Sequence, residues 1–161
     1  MSHARFDTCS NVPLARWDMQ LIDSRRINVA VRRRARYGSF LPSDFAAFDS
    51  SMFRISPAEA RPLEPQQRLL LEVGYEALHR HGQLRSTLVD SDSGSFTGMM
   101  NMDAQQFLPS VPGPYDMTGV SYSAAGARMS YVFAMRGPCV VFDTACSSSL
   151  VAAHVARRCL Q

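Results

Sequence analysis

The feature that most constrains this chain lies near its end, where the apolar run CVVF (139–142) leads through DTACSSSL (143–150) into LVAAHVARRCL. Four β-branched or apolar residues bounded by Gly137-Pro138 are too few for a helix and read as a buried strand. Leu150, Val151, His154 and Val155 then recur at helical spacing, so residues 150–160 form a helix. A strand that becomes a helix within a few small residues must pack that helix back against its own sheet. The expected class is therefore α/β, in layers.

Upstream segments repeat this alternation. Ser56-Pro57-Ala58-Glu59 reads as a capping box with proline at the first helical position, opening a short helix. A second start follows at Glu64-Pro65, with Gln67 placed to reach back to the cap. Leu69, Leu70, Val73, Ala77 and Leu78 give this second helix its apolar spacing. His79, Arg80 and His81 suit its C-terminal dipole and Gly82 its end, so the two histidines read as helix-terminal residues. After a polar loop, SDSGSFTGMM reads as a short buried strand in which Gly98 permits a close backbone approach. Pro109–Pro114 is loop, and Tyr122–Met135 is an alanine-rich helix broken by Gly137-Pro138.

Composition excludes several chemistries. All 17 basic residues are arginine, so this segment offers no Schiff-base, pyridoxal-phosphate or Walker-A lysine. Cys9, Cys139, Cys146 and Cys159 form no CxxC, and neither they nor His3, His79, His81 and His154 match a zinc spacing, so no metal is expected. No apolar run is long enough to span a bilayer, and the N-terminus has no apolar signal core; the expected setting is cytoplasmic, with free thiols. Six of the 17 arginines fall in RRINVAVRRRAR (25–36), read as a solvated loop or edge strand. With few aromatics beside them, docking to an acidic protein fits better than nucleic acid, and no nucleic-acid role is expected.

Cys146 is the candidate reactive group. A helix N-terminus offers unpaired N–H groups and a partial positive charge, which favour a thiolate and can hold a carbonyl oxygen as charge develops on it. Ala145 and Ser147–Ser149 leave room for a substrate, as at a nucleophile elbow. Cysteine is equally at home as an inert core residue, and position alone leaves both readings open. Cys139 and Cys159 lack the junction and read as core fillers; Cys9 reads as a loop residue.

DTACSSSL resembles the active-site motif of β-ketoacyl synthase domains, above all those of type I polyketide synthases. NVPLARWD, RYGSFL, FDSSMFRISPAEARPLEPQQRLLLEVGYEAL and GARMSYVFAMRGPCVVFDTACSSSL resemble further motifs of that family in the same order. The resemblance covers residues 11–161, with 1–10 unassigned. Arg54 stands where the family usually has glycine, Glu64 where it has aspartate, and Ala127 and Ala134 where it has glycines.

The resemblance implies roughly the first half of a duplicated, layered thiolase-like fold, without its usual first strand. It implies that Cys146 accepts an acyl chain from the phosphopantetheine arm of an acyl carrier protein, with no cofactor bound directly. Decarboxylative condensation with a malonyl-type extender would follow, in polyketide or fatty-acid synthesis. The family takes two histidines and a lysine for that step from its second half. His154 is no substitute: eight residues along one helix is about 12 Å, and the family carries a packing histidine there. The expectations are an inactive fragment of a condensing enzyme, a homodimer for the complete domain, and neighbouring synthase domains. The alternative is a non-catalytic interaction piece.

Overall fold

The computed structural model describes residues 7–18, 20–21, 27–40, 47–103 and 113–161. The chain divides into two compact units, Met1–Asp44 and Phe45–Gln161.

In the first unit, β1 (Cys9–Asn11) pairs antiparallel with β2 (Tyr37–Ser39), Cys9 opposite Ser39 and Asn11 opposite Tyr37. Cys9 is thus a strand residue rather than a loop one. Between these strands lies α1 (Val29–Arg34), in place of the expected loop or edge strand. The Asn28 side chain caps it, accepting from the Ala30 N–H at 2.8 Å, and the arginines of its last turn suit its C-terminal dipole. Local capping and charge placement outweigh the two valines, whose branching disfavours helix only slightly.

The second unit carries the sheet. β3 (Ser95–Gly98) and β4 (Cys139–Phe142) pair in parallel, with Gly98 beside Phe142. Both strands lie where the sequence puts them. Three helices surround them: α3 (Pro65–Arg80), α6 (Tyr122–Phe133) and α7 (Ser148–Cys159). A β-carbon on Gly126 of α6 would meet the Val141 side chain, and one on Gly98 would lie 2.6 Å from the Ser149 nitrogen of α7. Val141 and the Gly98–Phe142 pair point to opposite faces, as neighbouring register positions must. Helices α6 and α7 therefore cover opposite faces, giving an α-β-α stack.

Short helices complete the unit: α2 (Pro57–Ala60), α4 (Arg85–Leu88) and α5 (Asp116–Gly119). The sequence marks α2; α4 lies in what reads as polar loop, and it forms because Leu88 reaches the core. The expected Pro109–Pro114 loop lies outside the described residues except for Gly113 and Pro114. The core gathers Phe53, Ile55, Leu71, Leu88, Val132 and Phe133, with Phe48 stacked on Phe53 at 5.4 Å and Tyr75 on Phe133 at 6.2 Å.

Two helices bury faces that only partly match the expected ones. Leu71, Tyr75 and Leu78 of α3 point to the core, whereas Leu69, Leu70, Val73 and Ala77 line a cavity of about 660 Å³ against β3. Three consecutive leucines make the phase ambiguous, and the aromatic cluster decides it. On α7, Ser148 and Ala152 are buried and Val151 and Val155 half-buried, while Leu150 is 75% exposed and His154 is exposed. Met117 and Tyr131 are likewise 80% and 84% exposed. Among the described residues no helix is long and apolar enough to cross a membrane.

Candidate functional site

β4 ends at Phe142, and within five residues the chain has turned into α7. Asp143 and Thr144 lead into a 3-10 turn, Ala145–Ser147, with Cys146 at its centre. The turn needs Ala145 in the left-handed region, φ 54°, a conformation that costs a non-glycine residue about 1 kcal/mol. The Asp143 carboxylate helps hold it, accepting from the Ala145 N–H at 3.2 Å.

The serines around Cys146 do more than leave space. Ser148 is buried; its hydroxyl accepts from the Thr144 N–H at 2.9 Å and donates to the Ala145 carbonyl at 2.7 Å. The Ser147 hydroxyl donates to the Thr144 carbonyl at 2.8 Å. Two hydroxyls thus close the turn with short bonds that larger side chains could not make. The sequence marks these positions as small, but it does not reveal that they are cross-linked. Gly98 is the third constraint, since any side chain there would strike the backbone of Ser148 and Ser149. Its close approach is legible in the sequence; its partner, the start of the helix that follows Cys146, is visible only in the fold.

Cys146 itself is exposed. It sits one residue before the N-cap of a twelve-residue helix, where the axial dipole presents its positive end. Cys139 and Cys159 are also exposed, against the expectation that they fill core. Cys139 begins a strand with only one paired edge among the described residues and stays exposed although its sulfur faces Gly126 of α6, and Cys159 ends α7. His79 and His81 stand at the end of α3 as expected, beside Gly82 at φ 76°. Among the described residues no group of His, Cys, Asp and Glu is placed to hold a metal.

A second polar centre lies in the interior of the same unit. Arg128 of α6, 7% exposed, donates to the Glu59 carboxylate at 2.5 Å and to Gln67 Oε1 at 2.8 Å. Gln67 Nε2 donates to the Gly119 carbonyl at 2.9 Å. Two sequence readings need correction here. Ser56 does cap α2, accepting from the Glu59 N–H at 3.2 Å, but Glu59 turns to Arg128 instead of completing the capping box. Gln67 likewise serves Arg128 and Gly119 rather than the cap of its own helix, because the N–H of the buried N-cap residue Glu64 already donates to the Gly119 carbonyl at 2.9 Å and the buried guanidinium needs an acceptor. Arg128 is a buried structural residue that the sequence reading missed; the only signal was an arginine within an alanine-rich helix.

Arg54 and Ala134 explain two departures from the pattern the sequence resembles. Both are left-handed, φ 57° and φ 53°, the region where glycine is at ease. Ala134 caps α6, so the helix stops there, before Gly137-Pro138.

Comparison with known proteins agrees with this geometry. A phenolphthiocerol/phthiocerol polyketide synthase chain from Mycobacterium tuberculosis is 43% identical over 161 residues, 98% of this chain and 8% of the relative. A mycocerosic acid synthase-like polyketide synthase from Mycolicibacterium smegmatis is 38% identical over 157 residues, 96% of this chain and 7% of the relative. The ketosynthase from module 6 of the Bacillus subtilis bacillaene synthase superposes with a TM-score of 0.72 at 31% identity, over 93% of this chain and 23% of its own. An oxazolomycin ketosynthase domain from Streptomyces albus gives 0.71 at 32%, over 94% and 27%. The chain thus spans less than a tenth of the length of these curated relatives and about a quarter of the solved ketosynthases. The α-β-α stack is part of the thiolase-like fold of those ketosynthases, and the model of the β-ketoacyl synthase N-terminal domain matches residues 4–161: the chain belongs to the β-ketoacyl synthase family, of the type I polyketide synthase kind.

Proposed function

We propose that Cys146 is the acyl-accepting nucleophile of a polyketide synthase ketosynthase. The observation that carries this reading is the placement of an exposed thiol in a hydrogen-bonded turn at the start of α7. The Cys146 thiolate attacks the carbonyl carbon of an acyl thioester on the phosphopantetheine of an acyl carrier protein. The carbon–sulfur bond to pantetheine breaks, and the departing thiol takes up the proton that Cys146 gave up. N–H groups at the turn are suited to receive the oxyanion of the tetrahedral intermediate. This is the first half of a ping-pong scheme that divides a hard condensation into two easier steps.

The second half is decarboxylation of a malonyl-type extender and attack of its carbanion equivalent on the Cys146 thioester. Carbon–carbon bond formation releases carbon dioxide and the free thiol. The resemblance assigns that step to two histidines in other motifs, which the four histidines of this sequence do not supply. The chain's part is the acyl anchor, and alone it is inactive in condensation. Exposed Met117, Tyr131 and Leu150 support further protein packed on this unit, whether the other half of the domain or a second copy in a homodimer.

The test is intact-mass labelling of the ketosynthase containing this chain with an acyl thioester, beside Cys146→Ala. One acyl group per chain is expected on the parent and none on the variant. Equal labelling of both would falsify the assignment.

A further inference from the structure

Within residues 143–150, Ser148 alone is buried, at 5% exposure. Burying a hydroxyl is costly unless it is bonded, and this one is bonded twice, to the Thr144 N–H and to the Ala145 carbonyl. Serine at a helix start ordinarily caps the helix. Here Ser147 is the N-cap residue of α7 and its side chain caps nothing; both hydroxyls turn back to the residues before Cys146. Ser147 is exposed, so water can take over its bond to Thr144. Ser148 instead lies against β3, where a β-carbon on Gly98 would come within 2.7 Å of its carbonyl carbon, and little room is left for a water.

The acceptor matters as much as the donor. The Ala145 carbonyl and the Cys146 N–H belong to one planar trans peptide unit and point in opposite directions. The Ser148 hydroxyl and the Ser148 N–H both donate to that carbonyl. They hold the peptide from its carbonyl side and so fix where the Cys146 N–H points, which is away from the buried serine. That N–H donates to no group among the described residues. Bonding at the carbonyl also polarises the peptide and makes its N–H a better donor. The restraint has work to do, because Ala145 stands at φ 54° and gains by leaving the left-handed region once unfastened.

We infer that Ser148 is a positioning residue: through the Ala145 carbonyl it aims the Cys146 N–H at the oxygen of the thioester that Cys146 attacks. This inference rests on the acyl-accepting role of Cys146. Ser148 touches no substrate and acts only through the peptide that it holds.

The experiment compares two reactions of Cys146 in the complete ketosynthase domain. Acylation by an acyl N-acetylcysteamine thioester builds negative charge on a carbonyl oxygen, which the N–H must meet. Alkylation by iodoacetamide displaces iodide at a saturated carbon and builds no oxyanion. Both are read by mass on the peptide that carries Cys146. Ser148→Ala slows acylation at saturating thioester by about tenfold or more with KM near the parent value, because the lost contact exists only in the transition state. Alkylation of the same variant stays near the parent rate. Arg128→Met, destabilised through a network that does not touch the turn, acylates like the parent. Ser148→Cys keeps the shape with a weaker donor and acceptor; it acylates more slowly than the parent, and it carries the test if the alanine variant does not fold. Acylation at the parent rate in the Ser148 variants overturns the proposal. So does an equal fall in acylation and alkylation, which would mean that the hydroxyl holds the thiol or the fold rather than the N–H. A parent that alkylates at Cys146 but never acylates there overturns the acyl-accepting role, and this inference with it.

Discussion

The two polar centres of the larger unit hold themselves together by opposite means. Around Arg128, long side chains from α2, α3 and α6 meet in the interior, and each donor finds an acceptor more than fifty residues away in sequence. Around Cys146, short side chains bond to backbone within four residues, and the thiol remains at the surface. The first arrangement depends on the tertiary fold. The second is nearly self-contained and stores a strained residue, Ala145. In the proposed role Cys146 needs its own approach left open, so its support must come from small groups beneath and beside it. A packing centre has no such demand and can use large charged groups.

If that contrast holds, the largest stability loss comes from the interior. Arg128→Met removes the guanidinium and leaves Gln67 Oε1 buried without its donor, while Glu59, partly exposed, recovers some solvation. The expected cost is about 3 kcal/mol, at the low end for a broken buried pair because of that partial exposure. Denaturant unfolding of the complete domain measures it. A loss below about 1 kcal/mol would mean that water already screens the pair.

Gly98→Ala probes the second centre and should separate function from stability. The new methyl group would lie 2.6 Å from the Ser149 nitrogen, and backbone cannot yield as a side-chain tip can. The start of α7 must move away from β3, at a cost of about 2 kcal/mol. Because the turn is fastened to α7 through Ser148, Cys146 moves with it, and acylation should slow by more than the lost stability accounts for. A variant that is destabilised but acylates at the parent rate would show that the turn keeps its shape without Gly98.

These centres also mark how far the sequence could be read. The strand–turn–helix around Cys146 was legible because its signals are local: a β-branched run, small residues, then a change of period. Both strands of the parallel sheet and the start and end of α3 were legible for the same reason. The Arg128 network was not, since Glu59 and Gln67 each had a plausible local role that a distant partner overrode. The buried faces of α3 and α7 were legible only in part: Leu78, Val151 and Val155 lie on them and Val73 and Leu150 do not, because Leu69–Leu71 and Leu150–Val151 fit more than one phase and only packing partners choose between them. The helix in 29–34 was hidden by its valines. Its cap at Asn28 is a local signal of the helix start.

Arg54 makes the finest test, because its anomaly is confined to one backbone angle. Its side chain is exposed, and its cost lies at φ 57° rather than in packing. Arg54→Gly should therefore raise stability, by about 1 kcal/mol, less the entropy glycine gains in the unfolded chain. Ala134→Gly, at φ 53° beyond the end of α6, should do the same. The sites share no hydrogen bond, so their effects should add in the double variant and appear as a raised melting temperature. Neither change touches the turn at Cys146, so the rate of acylation should stay at the parent value. A fall in melting temperature with either glycine would show that these residues hold their left-handed turns through side-chain contacts, and strain at Ala145 would then no longer follow from its angle alone.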